Sequence, residues 1–149
     1  ARLDPFVYLG VGTGVSYCLV LHGEPYEGAR GNAIVVGAPP VERTSGGLAL
    51  AEGAGLDRAE LVLRDPAQAS FVEAAADELG LALAALVNAL DPEAVVIGGG
   101  LGLVDRYRDL LVASARAAIE HEATRELPII PATLGPRGGV IGAALVGAR

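Results

Sequence analysis

Two glycine corners constrain this chain more than any other feature of its sequence. Gly12-Thr13-Gly14 follows the run Phe6-Val7-Tyr8-Leu9, and Gly98-Gly99-Gly100 follows Ala94-Val95-Val96-Ile97. Each run is β-branched and apolar enough to read as a strand, and a glycine corner at a strand end leaves backbone N–H groups bare of side chains. Bare amides can close on an anion or a flat ring. Read singly, the first corner serves equally as a plain hairpin turn and the second as a strand-to-helix loop. Read together they point to a nucleotide cleft, because the carboxyl end of a buried parallel strand is where open α/β sheets bind ligands.

With 149 residues, 52% of them hydrophobic, the chain can bury one good core, so a single domain over residues 1–149 is expected. The formal charge is −7 and all eleven basic residues are arginines, which supplies no basic stripe for nucleic acid or an anionic membrane. No apolar run reaches the roughly 18 residues of a membrane span, since Gly80, Asn88 and Asp91 interrupt the most hydrophobic stretch. The single Cys18 excludes an internal disulfide and a cysteine-only metal site, and fits a reducing cytoplasm. The chain contains no methionine and begins Ala1-Arg2-Leu3, so residue 1 reads as a processed start or the edge of something longer.

The opening third reads as a β-meander: a strand from Phe6 to Leu9, a second from Ser16 to Leu21 across the glycine turn, a turn at His22-Gly23-Glu24-Pro25, and a third strand from Ala33 to Val36. Gly37-Ala38-Pro39-Pro40 breaks the sheet. Thr44 or Ser45 then caps a short helix through Leu48, Leu50 and Ala51 that stops at Gly53 or Gly55. Asp65-Pro66 opens a long helix whose apolar positions Phe71, Ala75, Leu79, Leu83, Leu86 and Leu90 recur at helical spacing, and Asp91-Pro92 ends it. Next come strand Ala94–Ile97, a helix from Leu103 to about His121, strand Leu127–Ile130 and a last helix from Gly138 to Val146. Wholly apolar strands alternating with helices call for a parallel sheet covered on both faces. The order βββαβαβα is that of a ribonuclease-H-like, actin-like ATPase lobe, an α/β fold with a mixed sheet.

Three segments in that order carry a family resemblance. Leu9-Gly10-Val11-Gly12-Thr13-Gly14-Val15-Ser16, followed by His22-Gly23, Glu27-Gly28 and Gly31, resembles the phosphate turn and hairpin of the ROK family of sugar kinases and sugar-responsive repressors. Leu90-Asp91-Pro92-Glu93 leading into Ala94–Leu101 is similar to the family's adenosine-side segment, and Ala132–Ala144 to its closing strand and helix. The resemblance covers essentially the whole chain and is to the C-terminal lobe of a two-lobed protein. It implies that ATP with magnesium binds through Gly12, Thr13, Gly14, Gly98, Gly99 and Gly100. The catalytic aspartate and the magnesium carboxylates would come from an N-terminal lobe, so no catalytic residue is expected here and the lobe alone is expected to be inactive.

Departures from the family pattern fall between the hairpin and the first helix. Where the family carries a glycine-glutamate-x-glycine-histidine segment, with the glutamate gripping sugar hydroxyls and the histidine holding zinc, this chain reads Gly31-Asn32-Ala33-Ile34-Val35. Asn32 can still hydrogen-bond a hydroxyl as a substrate-binding residue, without the strength of a carboxylate. Val35 cannot ligate a metal, the cysteine-rich loop is missing, and no zinc is expected.

Other polar residues have structural readings. Asp91 suits a helix exit, His22 a solvated turn, and His121 a helix C-terminus where its charge would favour the dipole. Cys18 fits a small buried apolar residue, and Asp105 and Asp109 with the arginines between them fit a solvated helix face. The expected partners are a nucleotide, a sugar and the missing lobe, with a homodimer through an exposed Ala/Leu helix face compatible with the sequence. Two further readings stay open: the effector-sensing lobe of a repressor, and a non-catalytic scaffold.

Overall fold

A computed structural model describes residues 3–31, 33, 46–56, 58–138, 141 and 144. Its sheet has the order β3-β2-β1-β4-β5, built from β1 (Phe6–Val11), β2 (Val15–Leu21), β3 (Glu24–Pro25), β4 (Ala94–Gly98) and β5 (Ile129–Pro131). The first hairpin is antiparallel, with Val11 opposite Val15, while β4 runs parallel to β1 with Val7 beside Val95 and Leu9 beside Ile97. Antiparallel β1–β3 joined to parallel β4 and β5 is the ribonuclease-H-like sheet.

The helices are α1 (Gly47–Gly53), α2 (Ala59–Arg64), α3 (Ala69–Leu90), α4 (Asp105–Ala118) and α5 (Glu122–Arg125). Because side chains alternate along a strand, Val7, Leu9 and Val11 of β1 share one face with Val95 and Ile97 of β4, and all are buried against α3 and α4. From α3, Val72, Leu79, Leu83 and Val87 enter this core, and from α4 Tyr107, Leu111 and Ala115. The helices approach closely at Gly80, where a Cβ would lie 2.6 Å from the Ser114 Cβ and 2.7 Å from the Leu111 carbonyl oxygen.

The long helix begins as expected. The Asp65 carboxylate accepts from the Ala67 N–H at 2.9 Å, a single 3-10 turn spans Pro66–Gln68, and α3 follows. It ends at Asp91, which takes a left-handed backbone (φ 43) that a short polar side chain tolerates better than most. Asn88 then ties α3 to the end of α4, donating to the Ala118 carbonyl at 3.2 Å and accepting from the Glu120 N–H at 3.1 Å.

Several expectations need correction. The helix expected to reach His121 stops at Ala118, because Ile119 turns extended and is fully buried. His121 therefore precedes α5 instead of ending a helix, and the C-terminal dipole argument does not apply to it. The last described strand starts at Ile129, two residues later than expected, because the Leu127 N–H closes a turn on Thr124. Glu24–Pro25, expected as part of a turn, pairs with β2 as a short strand, and α2 was not foreseen at all. Arg106 is exposed, as expected of that helix face, and its guanidinium also donates to the Leu63 carbonyl at 2.7 Å, which clamps the end of α2. The N-cap of α1 is Gly46, without a side-chain cap. Thr44 and Ser45, the expected strand residues 34–36, Asn32, Val35 and most of the last helix lie outside the described residues; Gly138, Ile141 and Ala144 are helical.

Candidate functional site

The two glycine corners meet. Val11, the last residue of β1, offers its carbonyl oxygen to the N–H groups of both Leu101 and Gly102, each at 3.0 Å. Gly99 sits directly against the same residue: with φ +82 and the Val11 nitrogen 2.7 Å from where a Cβ would be, no other residue fits there. The hairpin turn is itself closed by the Gly12 N–H donating to Gly14 at 2.9 Å, and the Gly12 carbonyl accepts from the Gly47 N–H at 2.7 Å. Gly12 is thus committed on both sides, which leaves Thr13 and Gly14 as the donors of that turn that an anion could reach.

A cavity of about 900 Å³ opens between the corners and the face of the sheet turned away from α3 and α4. Gly12, Gly14, Gly99 and Gly100 form its rim, Phe6, Tyr8 and Val96 its floor, and Thr133, Leu134 and Gly138 one wall. Its size lies in the range of roughly 300–1,000 Å³ usual for small-molecule sites, and its apolar floor suits a flat ring. Glycine rims with an aromatic floor fit a nucleotide.

Two expected site residues sit elsewhere. Gly98 is buried and points toward the Tyr8 ring, where a Cβ would come within 2.8 Å of Cζ, so its smallness serves packing. Thr13 faces a second cavity of about 530 Å³ that shares Gly12 and Gly100 with the first and adds Arg58, Glu60 and Gly47. The corners carry no carboxylate, so they fit phosphate oxygens and offer magnesium no set of ligands of their own. Among the described residues no group of three or more His, Cys, Asp or Glu is placed to hold a metal ion.

The floor residues escaped sequence reasoning although a signal existed. Phe6 and Tyr8 alternate with the core residues Val7 and Leu9, and Val96 pairs with Tyr8 across the β1–β4 ladder. Tyr17, by contrast, belongs to the core, where the residue is 5% exposed and its hydroxyl oxygen lacks a hydrogen-bond partner among the described residues. Burial there raises the phenol well above its ordinary pKa. Burial also pushes up the Cys18 thiol, consistent with an unreactive side chain. His22 is solvent-exposed in its turn, its N–H donating to the Asp4 carboxylate at 2.6 Å.

The chain as a whole is similar to known proteins. The bifunctional enzyme NanE/NanK of Brucella melitensis biotype 1 is 34% identical over an alignment of 162 residues that takes in 97% of this chain and 31% of that protein. The ROK hexokinase of Thermus thermophilus superposes with a TM-score of 0.81 at 29% identity, over 97% of this chain and 57% of its own. A ROK family glucokinase from Streptomyces griseus, solved with glucose and AMPPNP, gives a TM-score of 0.81 at 19% identity, over 98% and 61%. The chain thus spans about a third of the curated relative and somewhat over half of the two kinase structures. No helix among the described residues is long and apolar enough to cross a membrane. The ROK family model matches residues 47–149, and on that match, with the fold and the joined glycine corners, this chain belongs to the ROK family.

Proposed function

We propose that this chain is the nucleotide-binding C-terminal lobe of a cytoplasmic sugar kinase, one that transfers the γ-phosphoryl group of ATP to a hexose or amino sugar. The reading rests on one observation above all: the two glycine corners are tied to the same carbonyl oxygen and rim a single cavity with an aromatic floor. A hexokinase and a nucleotide-bound glucokinase among the structural relatives support it. In this reading the base lies over Phe6, Tyr8 and Val96, and the phosphates pass between Gly12-Thr13-Gly14 and Gly99-Gly100. Magnesium bound with the nucleotide would offset phosphate charge, and its carboxylate ligands and the group that deprotonates the sugar would come from a second lobe. Phosphoryl transfer depends mainly on positioning and charge stabilisation, so glycine corners can contribute without any reactive side chain.

The sugar contact would fall to Asn32. An amide in place of a carboxylate holds a hydroxyl more weakly, so sugar affinity is expected to be low compared with relatives that carry glutamate. Titrating the chain with magnesium-ATP in a calorimeter tests the main claim. Saturable heat at millimolar nucleotide, lost in Gly99→Val, is expected; a flat titration of well-folded protein would remove the kinase reading.

A further inference from the structure

The smaller cavity carries a further assignment. It lies on the other side of the ridge formed by Gly12 and Gly100 from the aromatic floor, so a ligand crossing that ridge passes from an apolar chamber into a polar one. Its lining contributes the Thr13 hydroxyl, the Arg58 guanidinium and the Glu60 carboxylate. Arg58 is exposed, stands just before α2 on extended backbone (φ −144), and has no hydrogen-bond or ion-pair partner among the described residues, Glu60 included. Arginines elsewhere in the fold are engaged differently: Arg106 clamps Leu63, Arg108 pairs with Asp105 at 2.5 Å, and Arg125 grips the Ile119 carbonyl. In a chain with net charge −7, an uncommitted guanidinium that shares a cavity with the Thr13 hydroxyl and with Gly100 is a local anion site.

We infer that Arg58 binds the terminal phosphates of the nucleotide, and that this second cavity is where the polyphosphate end emerges. The inference rests on the nucleotide reading above for the base, but not for the anion. A planar guanidinium can take two oxygens of one phosphate, which a lone backbone amide cannot. Thr13 and Gly14 would hold the chain of phosphates at the ridge and Arg58 its far end. No bond is made or broken by Arg58, so its role is affinity and orientation of the terminal phosphate.

The test titrates the chain, Arg58→Ala and Arg58→Lys with AMP, magnesium-ATP and inorganic tripolyphosphate. Arg58→Ala should weaken ATP and tripolyphosphate about tenfold, the size of one charge-assisted contact, while leaving AMP and the thermal midpoint unchanged. Arg58→Lys should recover part of the loss. Equal affinity of all three proteins for tripolyphosphate and ATP overturns the inference while AMP binding leaves the nucleotide reading intact. Tripolyphosphate binding that depends on Arg58, without any AMP binding, upholds the anion site and removes the nucleotide. If the unsubstituted chain binds none of the three, both fall.

Discussion

The two faces of the sheet are built from the same strands and do opposite things. On one face Val7, Leu9, Val11, Val95 and Ile97 are at most 1% exposed beneath α3 and α4. On the other, one residue along, Phe6, Tyr8 and Val96 floor an open cavity. A shift of one position in the strand changes a residue from holding the fold together to lining an open cavity. Composition cannot separate the two, because both faces are apolar; only what covers them differs.

Adjacent valines of β4 test this contrast most sharply. Val95→Ala deletes two methyl groups from a fully buried site and should cost about 1.5–3 kcal/mol in urea unfolding, whereas Val96→Ala should cost under about 1 kcal/mol. Nucleotide affinity should follow the reverse order. Equal losses of stability would mean that the outer face is sealed as tightly as the inner one.

Gly80 sharpens the account of the sealed face. Alanine is the better helix former by about 1 kcal/mol, so propensity alone predicts that Gly80→Ala stabilises α3. The Cβ would, however, stand 2.7 Å from a backbone oxygen of α4, and prising the helices apart should make the net change a loss of about 1–2 kcal/mol. The sign of the shift in denaturation midpoint decides between propensity and close approach.

Tyr17→Phe gives the smallest effect expected. Its hydroxyl is buried without a partner among the described residues, so removing it should leave stability unchanged or raise it by up to about 1 kcal/mol. The raised phenol pKa adds a pH signature. A group that ionises with more difficulty when folded contributes stability that is intact below its ordinary pKa near 10 and lost as pH climbs through the folded value. Unfolding midpoints followed above that pH should therefore fall more steeply for the parent than for Tyr17→Phe.

Much of this architecture was legible in the sequence where local chemistry and tertiary context agree. The hairpin at Gly12–Gly14, the Asp65-Pro66 helix start and the Asp91-Pro92 exit each combine a backbone requirement with a residue that meets it. Where tertiary packing decides, the reading slipped. Ala59–Arg64 carries good helix formers, with Glu60 in its first turn and Arg64 in its last, but six residues without a side-chain cap make a weak local signal, and the segment is held by Arg106 from α4. Ile119 ends its helix because its side chain is buried where a further helical turn would carry it away, and no breaker residue announces this. At the site, the corners were visible as glycines, but Gly98 proved to be a packing residue against Tyr8, and the aromatic floor was hidden in the alternation of β1.

One oxygen atom has a consequence for how the two corners move. Because Leu101 and Gly102 both hang on the carbonyl of Val11, the mouth of the crossover and the tip of the hairpin are yoked and cannot drift independently. An incoming ligand meets jaws already set at a fixed gap, and none of its binding energy is consumed in drawing them together. A motion that opened one corner would have to carry the other with it or break both of these hydrogen bonds.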